Sequence, residues 1–481
     1  MSKVTTKSLI DEAMGAKQKE AKPIYTAHFE ELIEVVSNDS HAKFLLKDGS
    51  ALDEYDVDGM VVTPPPVARL GFTLPIYNNI ISYYKRHTTG LKKTKGVTDV
   101  SIRSGVSADK VTSKIRCQED DLLFDRLAHY HRESAELPND DLYYLITAWD
   151  FHTHLLEAFE YSPIIFFAGL PEKGKSRMAK SMTTVCKRGV IRASLTDAQL
   201  IREASDHQAT LFFDMTDFAK TMERTGSMDI ILSRYERGLK VGRVLNPEKG
   251  AFQDMVYFDV FGPTIIGSNE TIDTILGSRA ITIVMRQSKK KFDKNVDVKK
   301  GEDLRDQLIA WKLAHFADGL PANVPKIGNG RLGDILQPLH QIIRMVKPKI
   351  EEQFINLIKE IEKQRNISKA DSSEAEIILA ILNLEEKIEH GILPVKEITD
   401  YLNENKSDRE KLTYQKVGRR LDVMGYQKSK TPSGASAIEW NVNLNDALAS
   451  EHNLSHPSET SNTPETSVTP EVPEWEDPPI M

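Results

Sequence analysis

The sequence predicts an α/β protein with a parallel β-sheet at its centre, and three observations predict this fold class. An apolar run at 164–168 is followed by a glycine-containing loop and then by a helical segment at 177–186. From 161 to about 290, apolar strand-like runs alternate with helical ones. A second apolar run, Thr210-Leu-Phe-Phe-Asp214, ends in an acid. Such alternation is typical of parallel sheets, because their strands are joined through helices.

The loop after the first strand is predicted to bind phosphate. Its sequence is Gly169-Leu-Pro-Glu-Lys-Gly-Lys-Ser176, and the flanking strand and helix are the context that this motif requires. Its backbone N–H groups and Lys175 would contact the β- and γ-phosphates, and Ser176 would ligate the metal. The alternative is a glycine-bearing surface loop. The predicted cofactors are ATP and Mg²⁺, and the predicted nucleotide-binding residues are Gly169, Pro171, Glu172, Lys173, Gly174, Lys175, Ser176 and Arg177.

Asp214, at the end of the next apolar run, is predicted to complete the metal site with Ser176. Many hydrolysing P-loop enzymes carry Glu directly after this Asp, whereas Met215 follows here. Asp217 is the nearest acid along the chain. It is either the base that orients the attacking water or the cap of the following helix, and the sequence leaves both open.

Two more polar residues adjoin predicted strands, and with Lys175, Asp214 and Asp217 they complete the predicted catalytic set. Asn269 ends the run that begins at Phe261. It aligns the water or touches the γ-phosphate, and the alternative is that it forms a turn. Arg279 precedes an apolar strand. An arginine there typically points toward a neighbouring subunit, where a guanidinium contributes about 10³–10⁵ in rate. The alternative is a surface or salt-bridged arginine.

A cation-rich stretch, Arg234–Arg243, lies between the Asp214 and Asn269 strands. Arg237, Lys240 and Arg243 are predicted to face DNA in a central pore. A loop that holds phosphates and a surface hairpin remain as alternatives.

Composition limits the possible function classes. The hydrophobic fraction of 40% and the charged fraction of 28% are ordinary for a soluble globular protein. The net charge of -8 gives no global attraction to nucleic acid, so DNA contacts must come from local basic patches. Cys117 and Cys186 have no partner spacing for zinc or a disulfide framework. No apolar run approaches the ~20 residues of a membrane span, so we expect a cytoplasmic protein without a membrane partner.

A chain of 481 residues is too long for one compact domain. Residues 26–118 are predicted to form a module of their own, which serves either for packing and oligomerisation or for ligand binding. Its basic residues near Tyr83 either bind single-stranded nucleic acid or are solvated. The predicted domains are a flexible arm at 1–25, a β-rich module with a helix and a basic loop at 26–118, a P-loop ATPase core at 119–300, a helical lid at 301–370, a winged-helix-like domain at 371–445 and a disordered acidic tail at 446–481.

The segment before the tail predicts a winged helix-turn-helix. Three helix candidates are followed by two strand-like runs around a Thr431–Gly434 tip. The third helix of such domains enters the major groove, although protein–protein contact is the alternative role. The tail, which contains Trp475, is either a docking peptide for a partner protein or a solubilising segment. The predicted DNA contacts are Tyr414, Gln415, Lys416, Arg419 and Arg420 on the third helix and Lys428 and Lys430 on the wing.

The order of these elements over 120–290 resembles the AAA+ ATPases of phage- and plasmid-type primase–helicase proteins. The resemblance covers about a third of the chain and depends on the phosphate loop with Arg177, the Asp214 strand, the basic stretch, the Asn269 strand and Ser278-Arg279. It implies ATP binding, assembly into a homo-oligomer such as a hexameric ring, and work on single- or double-stranded DNA. The N-terminus carries no primase motif, and Met215 departs from the usual Glu.

The leading hypothesis is therefore an ATP-dependent DNA-acting AAA+ ATPase, a helicase or DNA remodeller in replication or mobile-element maintenance. The competing hypothesis is an ATP-switched DNA-binding initiator or regulator with weak hydrolysis, which Met215 favours. A small-molecule kinase would share the phosphate loop but would leave Asn269, Arg279 and the winged helix unexplained.

Overall fold

The computed structural model describes residues 23–95, 108–192, 196–215, 218–245, 247–250, 253–270, 272, 274–370, 373–404, 406, 411–452 and 454. The chain divides into two compact units, Met1–Lys359 and Glu360–Met481. No helix within these described ranges is long and apolar enough to cross a membrane.

The first unit begins with two small three-stranded sheets. In one sheet, β3 pairs antiparallel with both β2 and β4, and in the other, β6 pairs antiparallel with β5 and parallel with β1. The predicted β-rich N-terminal module is confirmed. Its strands are β1 (Ile24–Tyr25), β2 (Leu32–Asn38), β3 (His41–Leu46), β4 (Ala51–Leu52), β5 (Tyr55–Val57) and β6 (Met60–Thr63).

The centre of this unit is a five-stranded parallel sheet, which follows α1 (Tyr77–Lys95), α2 (Ala108–Ser134) and α3 (Asp141–His154). Three of its strands, β7, β9 and β12, are apolar and largely buried, as expected for a sheet covered on both faces. The elements that build it are β7 (Ile164–Ala168), α4 (Lys175–Val185), β8 (Gly189–Arg192), α5 (Asp197–Ile201), β9 (Thr210–Asp214), α6 (Phe218–Thr225), α7 (Met228–Ser233), β10 (Lys240–Val244), β11 (Met255–Asp259), β12 (Thr264–Ser268), α8 (Thr274–Gly277) and β13 (Ala280–Val284).

The order of strands in the core sheet is β13-β7-β12-β9-β8, and every pairing in it is parallel. β12 therefore lies between the strand that leads into the phosphate loop and the strand that ends in Asp214. β10 and β11 form a separate antiparallel hairpin. The predicted α/β fold class with a P-loop NTPase core is confirmed.

Three helices follow the sheet: α9 (Val298–His315), α10 (Gly330–Val346) and α11 (Glu351–Ala370). The predicted helical lid began at 301, but α9 packs into the body of the unit. Its Ile309 and Leu313 share an apolar cluster with Ile33 of β2 and Ile80 of α1. Because this cluster joins the N-terminal module to the helices of the core, the predicted border near 300 does not separate two cores.

The second unit has winged helix-turn-helix topology. Its three-stranded antiparallel sheet has the order β14-β16-β15, and an apolar core including Leu393, Val417 and Tyr426 joins sheet and helices. α15 includes residues that we assigned to the tail from 446 onward, and Ala449 is buried. The predicted tail therefore began too early. The elements are α12 (Ser373–Asn383), β14 (Ile392–Pro394), α13 (Val395–Asn403), α14 (Tyr414–Val423), β15 (Lys428–Lys430), β16 (Ser436–Glu439) and α15 (Val442–Glu451).

Two histidines of α3 lie in the core of the first unit. His152 and His154 are both almost completely buried. The Nε2 atom of His152 lies 3.0 Å from Ser162 Oγ, and His154 Nε2 lies 2.9 Å from the carbonyl oxygen of Val185. Burial lowers the pKa of His152 to about 3 and that of His154 to about 4. Both imidazoles are therefore neutral in the folded protein at pH 5.

These histidines predict acid lability. Their pKa values are lowered on folding, so the stability they contribute is complete above pH 6.5 and is lost as the pH falls. The expected loss is about 2 kcal/mol for each imidazole between pH 6.5 and 5. We expect His152→Gln to lose less unfolding free energy than the wild type over this range in urea denaturation. His41→Gln removes an exposed imidazole and should follow the wild type. Equal pH dependence in His152→Gln and wild type would contradict the prediction.

Candidate nucleotide site

The phosphate loop joins β7 to α4 through two glycines in conformations that suit glycine. Gly169 has φ +144° and Gly174 has φ +84°. A Cβ atom at Gly169 would lie 2.7 Å from the carbonyl oxygen of Met285, so a larger residue would clash with the backbone after β13. These glycines place the loop beside the first turn of α4, where N–H groups without helical partners suit an anion.

Lys175 lies inside this loop. Its side chain is 7% exposed, and its Nζ donates hydrogen bonds to the carbonyl oxygens of Gly169 and Leu170, both at 2.7 Å. Burial lowers the pKa of Lys175, and the nearby Asp214 carboxylate opposes this effect. The loop therefore surrounds a positive charge where phosphate charge would be neutralised.

Ser176 and Asp214 meet across the end of the sheet. The Ser176 hydroxyl donates to Asp214 Oδ1 at 3.0 Å, and both residues are exposed. Hydroxyl and carboxylate oxygens suit Mg²⁺, which usually takes one or two protein ligands together with phosphates and water. In the described part of the chain, no group of three or more His, Cys, Asp or Glu residues is arranged for a metal ion. The residues present thus fit Mg²⁺ held by these two oxygens and a nucleotide.

β12 brings Asn269 to the same edge of the sheet. Its Ser268 is paired with Ala168 of β7 and its Gly267 with Asp214 of β9, so Asn269 follows the strand end between the loop and the acid. Met215, directly after Asp214, is buried in the apolar core. No carboxylate therefore occupies that position, and Asp217 lies outside the described residues.

Glu270 is an acid at this edge that the sequence analysis did not identify. Its backbone N–H donates to Ser268 Oγ at 3.1 Å, and its carboxylate lies 3.4 Å from Lys220 Nζ. Glu270 could have been identified from the sequence, because it directly follows Asn269.

The remaining predicted loop residues differ in their surroundings. Pro171 and Glu172 are exposed, and Lys173 donates to Gln287. Arg177 donates to the carbonyl oxygens of Ser134 at 2.9 Å and Lys294 at 2.7 Å. These contacts use its guanidinium to anchor the start of α4, and nucleotide binding by Arg177 remains a prediction.

Arg279 lies at the opposite edge of the sheet. It precedes β13, and its carbonyl oxygen accepts from the N–H of Ile164 at the start of β7. The β7–β13 register pairs Ala280 with Ile164 and Val284 with Ala168. Arg279 precedes by six residues Met285, which adjoins the start of the phosphate loop, and at about 3.3 Å per residue this is a separation of about 20 Å along the strand.

The cation-rich stretch is mostly engaged in internal contacts. Arg237 donates to the carbonyl oxygens of Leu156 and Phe159, and Arg243 forms ion pairs with Asp197 and Asp229 at 2.7 and 3.0 Å. Protein groups thus bind both guanidiniums, and DNA contact by Arg237 and Arg243 remains a prediction.

Lys240 differs from these arginines, because it is exposed at the start of the β10–β11 hairpin. The backbone from Lys240 onward therefore forms a β-hairpin, as one of the alternatives for the cation-rich stretch expected.

The predicted DNA-contact residues of the second unit surround α14 and β15. Tyr414, Gln415, Lys416 and Arg419 are exposed, as is Lys430. Arg420 is half-buried, 3.5 Å from Glu374, and Lys428 lies 2.9 Å from Asp422. The Lys428–Asp422 pair is exposed, and exposed ion pairs contribute little to stability.

Comparisons with known proteins give structural likenesses only. No family model and no curated protein matches the chain. It is similar to the solved structure of the SCCmec type IV Cch active helicase, with 13% identity, a TM-score of 0.36 and coverage of 93% of this chain and 84% of the other. It is also similar to the apo C-terminal region of NrS-1, with 12% identity, a TM-score of 0.33 and coverage of 90% of this chain and 89% of the other. The similarity to Cdc6p from Pyrobaculum aerophilum has 12% identity, a TM-score of 0.20 and coverage of 66% of this chain and 94% of the other.

The Ser176–Asp214 pair predicts how the metal affects nucleotide binding. Ser176→Ala and Asp214→Asn should each weaken binding of a non-hydrolysable ATP analogue in Mg²⁺ by about tenfold or more, since a bond to a charged group is worth about 1.5–3 kcal/mol. Titration calorimetry with Mg²⁺ and with EDTA measures this. Thr184→Ala, a hydroxyl loss on the same helix, should bind as the wild type does. If Ser176→Ala or Asp214→Asn gained as much affinity for the analogue from Mg²⁺ as the wild type does, the pair would be excluded as the metal site.

Proposed function

We propose that this protein is an ATP-dependent DNA-acting ATPase, a helicase or DNA remodeller that works as an oligomer. The observation that carries the proposal is the meeting of Lys175, Ser176 and Asp214 at one sheet edge, with Ser176 Oγ 3.0 Å from Asp214. Phosphoryl transfer needs positioning and charge neutralisation more than covalent chemistry, and these residues supply both.

Each residue has a distinct role in the proposed reaction. The loop N–H groups and Lys175 bind the β- and γ-phosphates, and bound Mg²⁺ would neutralise charge that develops on them. Ser176 and Asp214 hold that ion, and Asn269 orients the attacking water. Asp217 and Glu270 are the two candidate bases, and Glu270 must leave Lys220 to act.

Arg279 is proposed to act on the nucleotide of a neighbouring copy. It lies about one strand length from its own loop, so its guanidinium suits a phosphate held by another subunit. This role requires a head-to-tail assembly, which closes as a ring when the rotation between copies allows it. A hexamer is the proposed form.

The winged helix is proposed to bind DNA through α14 and β15. Lys416 and Arg419 are exposed on the helix, and Lys430 is exposed on the wing, which gives this face local positive charge in an acidic chain. Lys240 on the β10–β11 hairpin is the exposed candidate from the cation-rich stretch.

The second candidate function is an ATP-switched DNA-binding initiator or regulator. Met215 favours it, because the position after Asp214 is buried and apolar and offers no base. Slow turnover combined with ATP-dependent assembly would distinguish this switch from a motor.

Turnover measurements test the proposal. We expect ATP hydrolysis by the wild type to be stimulated by single- or double-stranded DNA and to be abolished in Lys175→Ala. Arg279→Ala should hydrolyse about 10³-fold more slowly yet bind ATP normally. Arg224→Ala removes an exposed arginine of the same unit and should retain wild-type turnover. Normal hydrolysis by Arg279→Ala would exclude the ring, and ATP binding with negligible turnover in every condition would favour the switch.

Salt dependence tests the DNA surface. Each phosphate contact contributes a slope of about 0.9 to the fall of log affinity with log salt concentration on duplex DNA. Lys416→Ala combined with Arg420→Ala should therefore reduce the slope by about two. Lys387→Ala combined with Lys396→Ala removes the same charge elsewhere in this unit and should keep the wild-type slope. An unchanged slope in the first double variant would reject the α14 surface.

A further inference from the structure

Arg331, near the start of α10, lies beside Arg279, although 52 positions separate them in the sequence. Its Nη1 donates to Ser278 Oγ at 2.7 Å. The guanidinium carbon of Arg331 lies 5.7 Å from the centroid of the Tyr235 ring, and that of Arg279 lies 5.0 Å from the same centroid. Two guanidiniums therefore share one aromatic ring, where each gains a cation–π contact.

In the part of the chain that the structure describes, the two charges have no carboxylate within ion-pair distance. Within the described ranges neither Arg279 nor Arg331 forms an ion pair, whereas Arg188, Arg243 and Arg344 do. The nearby carboxylate of Glu236 instead accepts the Tyr235 hydroxyl at 2.5 Å. Like charges held close together disfavour each other, so an anion between them would relieve the repulsion.

Arg279 also has unused hydrogen-bonding capacity. Its Nη1 donates to the carbonyl oxygen of Ile275 at 2.8 Å, but its Nε is buried without a partner in the described structure. A buried donor without a partner is unusual in a folded protein and costs free energy. An oxygen-rich anion that entered here would satisfy it.

The position of the pair identifies where the anion comes from. Arg279 lies at the amino edge of the sheet, about 20 Å along the strands from its own phosphate loop. Arg331 is exposed and bonded to the residue next to Arg279, so it belongs to the same edge. The nucleotide of the same chain is out of reach of this pair, so a phosphate that the pair binds would belong to a second copy.

We propose that Arg331 joins Arg279 in one phosphate-binding site for the nucleotide of a neighbouring copy, with Tyr235 holding the two guanidiniums apart and in place. Planar guanidiniums bind phosphate oxygens in pairs, so two of them contact several oxygens of one phosphoryl group. The proposal deepens the function proposed above, because it rests on Arg279 acting between subunits. Arg331 adds a second contact to the phosphate, and this contact comes from α10, a helix that follows the sheet.

Turnover of single variants is the first test. Arg331→Ala should reduce ATP hydrolysis at least tenfold while binding ATP as the wild type does, and Arg331→Lys should recover only part, because an ammonium lacks the planar donors. Arg344→Ala is the matched control, since it removes the same charge from the same helix. Thermal unfolding checks that each variant folds. Arg331→Ala with the turnover of Arg344→Ala would overturn the proposal.

Mixed assemblies then identify whose nucleotide Arg331 contacts. Lys175→Ala copies keep both arginines, and Arg331→Ala copies keep the phosphate loop. Co-expressing them should restore hydrolysis at about a quarter of the sites if subunits mix randomly in a head-to-tail assembly. A mixture of Arg279→Ala with Arg331→Ala should stay inactive, because no interface then has both arginines. The reverse pattern, recovery in the second mixture but not in the first, would place Arg331 at its own nucleotide and overturn the proposal.

Failure of this inference is distinguishable from failure of the proposed function. If Lys175→Ala or Arg279→Ala hydrolyses ATP normally, the proposed function fails and this inference fails with it. If both are inactive and Arg331→Ala is normal, only this inference fails. Should the wild type bind ATP without turnover, sedimentation replaces the assay: ATP-dependent assembly should be lost in Arg331→Ala and kept in Arg344→Ala, and assembly retained in both would overturn the inference.

Discussion

The parallel direction of the five core strands is the constraint on which the first unit depends. Because all of them run the same way, their carboxyl ends meet at one edge and their amino ends at the other. The phosphate loop, Asp214 and Asn269 follow strands and share the first edge, whereas Arg279 precedes a strand and lies at the second. One antiparallel strand would bring a different set of residues together. The polarity of the sheet thus gathers the phosphate loop, Asp214 and Asn269 at one face of the domain and places Arg279 at the opposite face.

The parts that could be predicted from the sequence are those fixed by local pattern. β7, β9 and β12 are short apolar runs bounded by polar residues, and such runs are recognisable because buried parallel strands exclude charge along their length. The phosphate loop was recognisable because only glycine tolerates the close approach of Gly169 to Met285. The winged helix followed from the Thr413 cap of α14 and the glycine turn between β15 and β16.

The parts that could not be predicted depend on partners distant in the sequence. A cation-rich stretch has the same composition whether its guanidiniums face solvent or bind backbone carbonyls, as those of Arg234 and Arg237 do. Arg243 meets Asp197 across 46 positions, and Arg331 meets Ser278 across 53. α9 has a helical pattern, but its apolar contacts with β2 and α1 are set by the fold. Periodicity predicts that a helix forms, while tertiary packing decides which core it joins.

The contacts of Lys175 have a consequence for how nucleotides exchange at this site. Its ammonium donates to two carbonyl oxygens of its own loop at 2.7 Å, so the lysine is already solvated by the protein. An arriving phosphate competes with those carbonyls, and the observed affinity is the difference between two sets of bonds. In the proposed ATPase cycle the same carbonyls would again accept from the ammonium on product release, so the loop would not expose a bare buried charge. Binding of a phosphate would thus exchange one set of bonds to the ammonium for another, instead of adding bonds to an unsolvated charge.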